Sequence, residues 1–62
     1  MTAADSLRHA EALMERLEQT RARLEATSDP EVAIEILTEL AEIARDVEAA
    51  LTKAKREADA EA

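Results

Sequence analysis

The sequence lacks glycine, cysteine and every aromatic residue, and it has a single proline among its 62 residues. The absence of glycine argues against hairpin turns that need positive φ and against glycine-rich loops that cradle phosphate. Without cysteine there is no disulfide, thiolate metal site or cysteine nucleophile. Without aromatic side chains there is no platform on which the bases of single-stranded nucleic acid could stack.

The charge balance is acidic, with fifteen Asp and Glu against eight Lys and Arg and a net charge of −7. A protein that neutralises phosphates has the opposite balance, so we expect no direct binding to nucleic acid or to an anionic membrane. The first five residues do not form a signal peptide, and no apolar run approaches the ~20 residues that span a bilayer. We therefore expect a cytoplasmic location.

Five helix-favouring residue types dominate what is present. Ala, Glu, Leu, Arg and Lys make up 41 of the 62 residues, which exceeds the roughly 50% share typical of coiled coils and long helices. A chain of this length forms at most one domain, so residues 1–62 are treated as a single unit. The composition predicts a helical assembly.

One break interrupts the helical pattern, at residues 26–31. Ser28 or Asp29 can cap a helix through its side-chain oxygen, and Pro30 suits the first helical position. Glu31 follows Ser28 by three residues, which allows a capping box. At the start of the chain, Thr2 or Asp5 offers the same capping chemistry.

On both sides of the break, apolar residues recur at alternating spacings of three and four. In the first helix the predicted seam is Leu7, Ala10, Met14, Leu17, Arg21 and Leu24, with Leu13 beside it and Arg21 as the misfit. In the second helix it is Ala33, Leu37, Leu40, Ala44, Val47, Leu51, Ala54 and Ala58. We predict helices over about residues 4–26 and 30–58, joined by a short connection into an all-α antiparallel αα-hairpin.

The start of the second helix has a competing pattern, because Val32, Ile34 and Ile36 alternate as in a β-strand. The alternation is short and no second strand exists to pair with it, so we prefer the helix. In helical form this region carries two neighbouring apolar ridges. The first is Val32, Ile36, Leu40, Ile43 and Val47, and the second is Ile34, Leu37, Ala41 and Ala44.

The first helix can cover only one of these ridges, because its own apolar stripe is narrow. Chains this short often need oligomerisation in place of disulfides or metals. We predict a homodimer at least, as an antiparallel four-helix bundle, and we expect Glu at Ile36 and Ile43 to dissociate it. The predicted interface comprises Val32, Ile34, Ile36, Leu37, Leu40, Ile43, Val47, Leu51, Leu13 and Leu17.

The second helix also carries an acidic ridge, which comprises Glu31, Glu35, Glu39, Glu42 and Asp46. It can be a docking surface for a basic partner or simply a solvated outer face. Like charges four residues apart destabilise a helix slightly, and Arg16, Arg21 and Arg23 of the first helix are candidates to offset them.

No residue pattern predicts catalysis, a cofactor, a metal site or a small-molecule substrate. A di-iron bundle requires a Glu three residues before a ligating His, and the lone His9 has none. We expect His9 to be exposed. Arg21 is expected to pack its stem while its head reaches an acid such as Glu18 or Glu25; a role in register or partner choice is the alternative. The bases near the C-terminus, among residues 53–56, suit a solvated helix end or a partner contact.

Several short motifs occur in a recognisable order: Ala12-Leu13, Leu17-Glu18, Arg23-Leu24-Glu25, Pro30, Ile43-Ala44-Arg45 and Leu51-Thr52-Lys53-Ala54. With one residue dropped after Pro30, this order over about residues 10–56 resembles the small subunit of exodeoxyribonuclease VII, a family of short acidic helical hairpins. That family usually has Gly in the loop and a Tyr/Phe-Glu-x-Gly element in the second helix. Residues 26–28 and 37–40 are bulkier here.

The resemblance implies a non-catalytic accessory subunit, with the nuclease chemistry on a separate large chain. The residues themselves indicate a non-enzymatic protein–protein interaction module whose partner is itself. The hypotheses are therefore a self-associating helical hairpin and, as the alternative, an accessory subunit of a larger enzyme.

Overall fold

The computed structural model describes residues 2–61, which form two α-helices joined by a three-residue connection. Helix α1 spans Ala3–Ala26 and helix α2 spans Pro30–Glu61. The predicted all-α helical hairpin is confirmed. Helix α2 continues three residues beyond the predicted end, and residues 32–36 are helical, so the strand alternative is wrong.

Helix α1 begins at a capping box built from both residues that the sequence offered. The Thr2 hydroxyl accepts a 3.2 Å hydrogen bond from the Asp5 N–H, and Asp5 Oδ2 accepts one of 3.2 Å from the Thr2 N–H. Arg8 also donates to Asp5. The Thr2 N–H and hydroxyl, with Arg8, hold the pKa of Asp5 below its ordinary value.

The connection between the helices needs no glycine. Thr27 closes α1 in an extended conformation, with φ −87° and ψ 141°, and no residue from 2 to 61 has a positive φ. The predicted cap of α2 is Asp29 and not Ser28: Asp29 Oδ1 accepts a 2.9 Å bond from the Glu31 N–H. Pro30 then occupies the first helical position. Its missing N–H costs no hydrogen bond there, because the N–H of that position has no partner within the helix.

The helices pack along a seam whose spacing is the predicted one but whose register differs. In α1 the seam is Ser6, Ala10, Leu13, Leu17, Thr20 and Leu24; in α2 it is Ala33, Ile36, Leu40, Ile43, Val47, Ala50 and Ala54. The predicted seam residues Leu7 and Met14 are 46% and 45% exposed. In α2, Ile36, Ile43 and Ala50 take the places predicted for Leu37, Ala44 and Leu51.

Two small polar residues make the observed register work. Ser6 and Thr20 are 1% and 3% exposed, and each hydroxyl is satisfied within the structure. Thr20 donates to the Arg16 carbonyl at 2.8 Å, and Ser6 donates to Glu57. Because buried hydroxyls with partners carry little penalty, these residues can occupy seam positions that an apolar pattern would not assign to them.

Candidate functional site: an open apolar face

The two long faces of the hairpin differ in how well they cover the seam. In heptad notation the seam consists of alternating a and d positions, with position e flanking a and position g flanking d. We call the d and g positions the closed face. The open face is formed by the e positions, Leu7, Met14, Arg21, Leu37, Ala44 and Leu51, together with the large a residues behind them, Leu17, Leu24, Leu40 and Val47.

The closed face is sealed by charged side chains. Glu39 of α2 accepts from Arg23 of α1 at 3.2 Å and lies 3.7 Å from Arg16 of the same helix. These pairs show that the g positions of both helices share one face. Beneath them the d residues are buried, with Ile36 and Ile43 only 3% and 1% exposed.

The open face lies opposite and is aliphatic. Leu7 and Leu51 are 46% and 43% exposed, and Leu37 is 52% exposed. The large a residues that lie next to them, at Leu17, Leu24, Leu40 and Val47, are only half-buried, whereas the d residues Leu13, Thr20, Ile36, Ile43 and Ala50 are buried. The two helices therefore cover their shared core on the closed face and leave it partly exposed on the open face.

The total surface of the hairpin is large for its mass. The structure extends 49 × 14 × 12 Å and has an accessible surface of 4602 Å² for 6.8 kDa. A folded monomer of this mass is expected to expose about 4,000 Å². The excess of about 600 Å² approaches the ~800 Å² that each partner buries in a standard interface.

Arg21 is the one charged residue at the e positions of the open face. Its guanidinium donates to both oxygens of Glu18, at 3.0 and 3.1 Å from Nε, and to Glu25 at 2.9 Å. The hydrogen bond from Arg21 lowers the pKa of Glu18, and Glu18 and then Glu25 raise the pKa of Arg21. The prediction that this head group reaches Glu18 and Glu25 is confirmed.

The structure distributes the predicted interface residues over both faces. Leu13, Ile36 and Ile43 lie in the buried seam on the closed face; Leu17, Leu40 and Val47 are the half-buried a residues; Ile34, Leu37 and Leu51 are exposed on or beside the open face; Val32 is exposed at a g position. Glu at Ile36 or Ile43 would place a charge inside the hairpin itself. Those substitutions therefore report on folding, and our expectation that they test assembly is corrected.

The predicted interface includes Leu17 of α1 but not Leu7 and Met14, which also lie on the open face. Leu7 and Met14 directly follow the buried Ser6 and Leu13, and the alternating spacing of three and four places them in the predicted seam. The signal that could have separated them is the three-in-seven pattern of a bundle helix, with apolar residues at a, d and e.

The acidic ridge is divided by the fold. Glu39 is half-buried and paired with Arg16 and Arg23, whereas Glu31, Glu35, Glu42 and Asp46 are exposed. Arg16 and Arg23 thus offset part of the ridge, as predicted, and Arg21 does not, because it serves Glu18 and Glu25. All five acids lie at c, f or g positions, away from the open face.

A shallow groove of about 390 Å³ on the closed face brings together Ser6, His9, Asp46 and Lys53. Ser, His and Asp are the residue types of a hydrolase catalytic triad. Ser6, however, is 1% exposed, and its single O–H donates to Glu57 at 3.0 Å. That proton is committed to a carboxylate, so the hydroxyl is not positioned as a nucleophile activated by His9.

Among residues 2–61, no three His, Asp or Glu side chains converge in a way that could hold a metal ion. Neither helix combines the length and apolar character that crossing a bilayer requires.

Comparison of the chain with protein-family models, with curated proteins and with solved structures gave no match in any of the three. The resemblance to the exodeoxyribonuclease VII small subunit therefore rests on the short motifs alone. The face that the hairpin leaves uncovered is the feature from which a function can be argued.

Proposed function

We propose that this protein is a non-enzymatic protein–protein interaction module, in which the open face of one hairpin packs against the open face of a second copy to form a four-helix bundle. The supporting observation is the asymmetry of burial across the seam. Large aliphatic residues at the a positions, such as Leu40 and Val47, are left half-buried, while those at the d positions are sealed.

The choice of residues around the seam supports a bundle over an isolated helix pair. A two-stranded coiled coil needs apolar residues only at a and d, whereas a helix in a bundle core carries them at a third position, e or g. Here the e positions within the helices are Leu, Met or Ala except for Arg21 and for Pro30 at the start of α2, and every g position from His9 to Lys53 other than Val32 is ionisable. This pattern supports a partner on the e face and solvent on the g face.

The energetic scale is consistent with association. Each large aliphatic side chain that moves from water into an interface contributes about 1.5–3 kcal/mol when fully buried. Leu7, Met14, Leu37 and Leu51 are already half-covered, so each has about half of that contribution left to gain. A symmetric dimer buries these four side chains from each of its two copies.

Sedimentation equilibrium of the wild type and of two variants tests the proposal. Leu37→Glu places a charge on the open face, and Thr38→Glu places the same charge one residue away on the outer surface as the matched control. We expect the wild type and Thr38→Glu to have about twice the 6.8 kDa mass of one chain, and Leu37→Glu to sediment as a monomer. A helical monomer for the wild type at micromolar concentration would overturn the proposal.

The accessory-subunit hypothesis uses the same face with a different occupant, a larger chain in place of a second hairpin. It predicts that the isolated protein is a monomer and becomes stoichiometrically bound only when the large chain is co-expressed. Circular dichroism of the same samples distinguishes loss of assembly from loss of helix.

A further inference from the structure

We propose, resting on the self-association above, that the two hairpins pack with their loops at opposite ends, on a two-fold axis that passes Met14 and Ala44. In this arrangement α1 lies against α1 of the second copy and α2 against α2, each pair antiparallel. The occupant of the open face is a second copy of this chain: the total accessible surface exceeds that of a compact monomer of this mass by about 600 Å², an excess comparable to one partner's share of a standard interface.

The open face is centred on Met14 and Ala44. The core cluster of Ala10, Leu13 and Ala50, with Val47 packed against it, sets the register of the two antiparallel helices. In that register the e positions form three levels: Leu7 with Leu51, Met14 with Ala44, and Arg21 with Leu37. Met14 is also at the middle of α1, which spans Ala3–Ala26, so a two-fold axis at this level overlaps the full length of both copies.

Two hairpins can meet face to face in two symmetric ways, and Arg21 distinguishes them. With the loops at the same end, both copies of Arg21 would occupy one level of the bundle, and four leucines would occupy the opposite level. With the loops at opposite ends, each outer level receives one arginine and three leucines, from Leu7, Leu51 and Leu37.

The electrostatic difference favours the second arrangement. Arg21 keeps its charge, because Glu18 and Glu25 bind the protonated guanidinium. Fourteen residues separate the two arginine levels when the loops are opposed, which is about 21 Å along the helices. That distance exceeds the ~8 Å screening length at physiological ionic strength. With the loops at the same end, the two clusters of Arg21, Glu18 and Glu25, each with one positive and two negative charges, would lie at one level of the interface and repel.

The opposed arrangement also gives Arg21 an added partner. It places Arg21 of one copy near the first turns of the second copy's α1, where Leu7 can cover its aliphatic stem and Glu11 lies one turn further along. Glu11 lies level with Glu18 of the second copy in the opposed arrangement and with Glu48 in the other, so this pair of acids does not distinguish the two.

Cysteine cross-linking tests the orientation, and the chain suits it because it contains no cysteine. The variants are Met14→Cys, Ala44→Cys and the outer-surface control Ala22→Cys, each first examined under reducing conditions by sedimentation equilibrium. They are then oxidised alone and as a Met14→Cys and Ala44→Cys mixture. Reversal by dithiothreitol identifies the products as disulfides.

Loops at opposite ends predict that Met14→Cys alone converts mostly to a covalent dimer, while Ala22→Cys does not. Loops at the same end predict that Met14→Cys alone stays uncoupled and that the mixture gives the mixed disulfide, which would overturn the orientation while leaving self-association intact. If the reduced variants are dimeric but form neither the Met14→Cys disulfide nor the mixed disulfide, the proposed two-fold axis and the proposed use of the open face would be overturned. Reduced proteins that are all monomeric would instead overturn the proposed function.

Discussion

The hydroxyl of Ser6, in the first turns of α1, donates a 3.0 Å hydrogen bond to Oε1 of Glu57, in the last turns of α2. This bond joins residues 51 positions apart and closes the end of the hairpin opposite the loop. The second carboxylate oxygen, Glu57 Oε2, is buried and has no hydrogen-bond partner among the described residues.

Removal of this bond gives the first prediction. Ser6→Ala leaves the Glu57 carboxylate without its donor, so the free energy of unfolding should fall by about 1–3 kcal/mol. The double variant Ser6→Ala/Glu57→Leu removes both polar groups and should recover most of that loss, because an apolar pair leaves nothing unpaired. Urea denaturation measures both. A double variant less stable than Ser6→Ala alone would show that Glu57 has other favourable contacts.

The two faces of the hairpin predict different responses to truncation of an aliphatic side chain. Ile43→Ala removes a fully buried residue and should cost about 2–5 kcal/mol of unfolding free energy at any protein concentration. Leu37→Ala, on the open face, should lower the free energy of unfolding by an amount that increases with protein concentration, because the substitution weakens assembly. Denaturation curves at two concentrations separate the cases. A concentration-independent loss for Leu37→Ala would place its contacts within one hairpin.

The capping box predicts a pH effect at the start of α1. The pKa of Asp5 is lowered first by the Thr2 N–H, then by the Thr2 hydroxyl and by Arg8. Because the folded-state pKa is depressed, the contribution of Asp5 is fully present above its ordinary value of 3.8 and is lost as pH falls through the lowered pKa. Carboxyl NMR titration should give a midpoint below 3.8 in the wild type.

Thr2→Ala is the matched variant for that titration. It removes the hydroxyl but keeps the N–H, so the pKa of Asp5 should rise only part of the way toward its ordinary value. A midpoint in the wild type at the ordinary value, unchanged by Thr2→Ala, would mean that the capping box does not persist in solution.

The helices and their connection were predictable because their signals are local. Pro30 and the acid before it mark the start of α2, and the spacing of apolar residues marks both helices. The register of the seam was not predictable from spacing, because adjacent pairs such as Leu13 and Met14, or Ile36 and Leu37, satisfy two registers equally. Packing between the helices selects one of them, with Ser6 and Thr20 at seam positions.

The candidate site was predicted in outline. The excess of apolar ridges on α2 indicated that part of its surface would lack cover, and Ile34, Leu37 and Leu51 are indeed exposed. Which of the other predicted residues face outward depends on the register, and therefore on contacts between residues far apart in sequence. For the same reason, the share of Leu7 and Met14 in the open face emerged only from the folded hairpin.

In the proposed dimer the open face of one copy contacts the open face of another. Isotope-filtered NOE spectroscopy on a sample that mixes methyl-labelled and unlabelled protein detects this contact, because only contacts between copies then give cross-peaks. We predict such cross-peaks from the methyl groups of Met14, Leu37 and Leu51 and none from Ile43. Cross-peaks from Ile43, or none from the three open-face residues, would contradict the account.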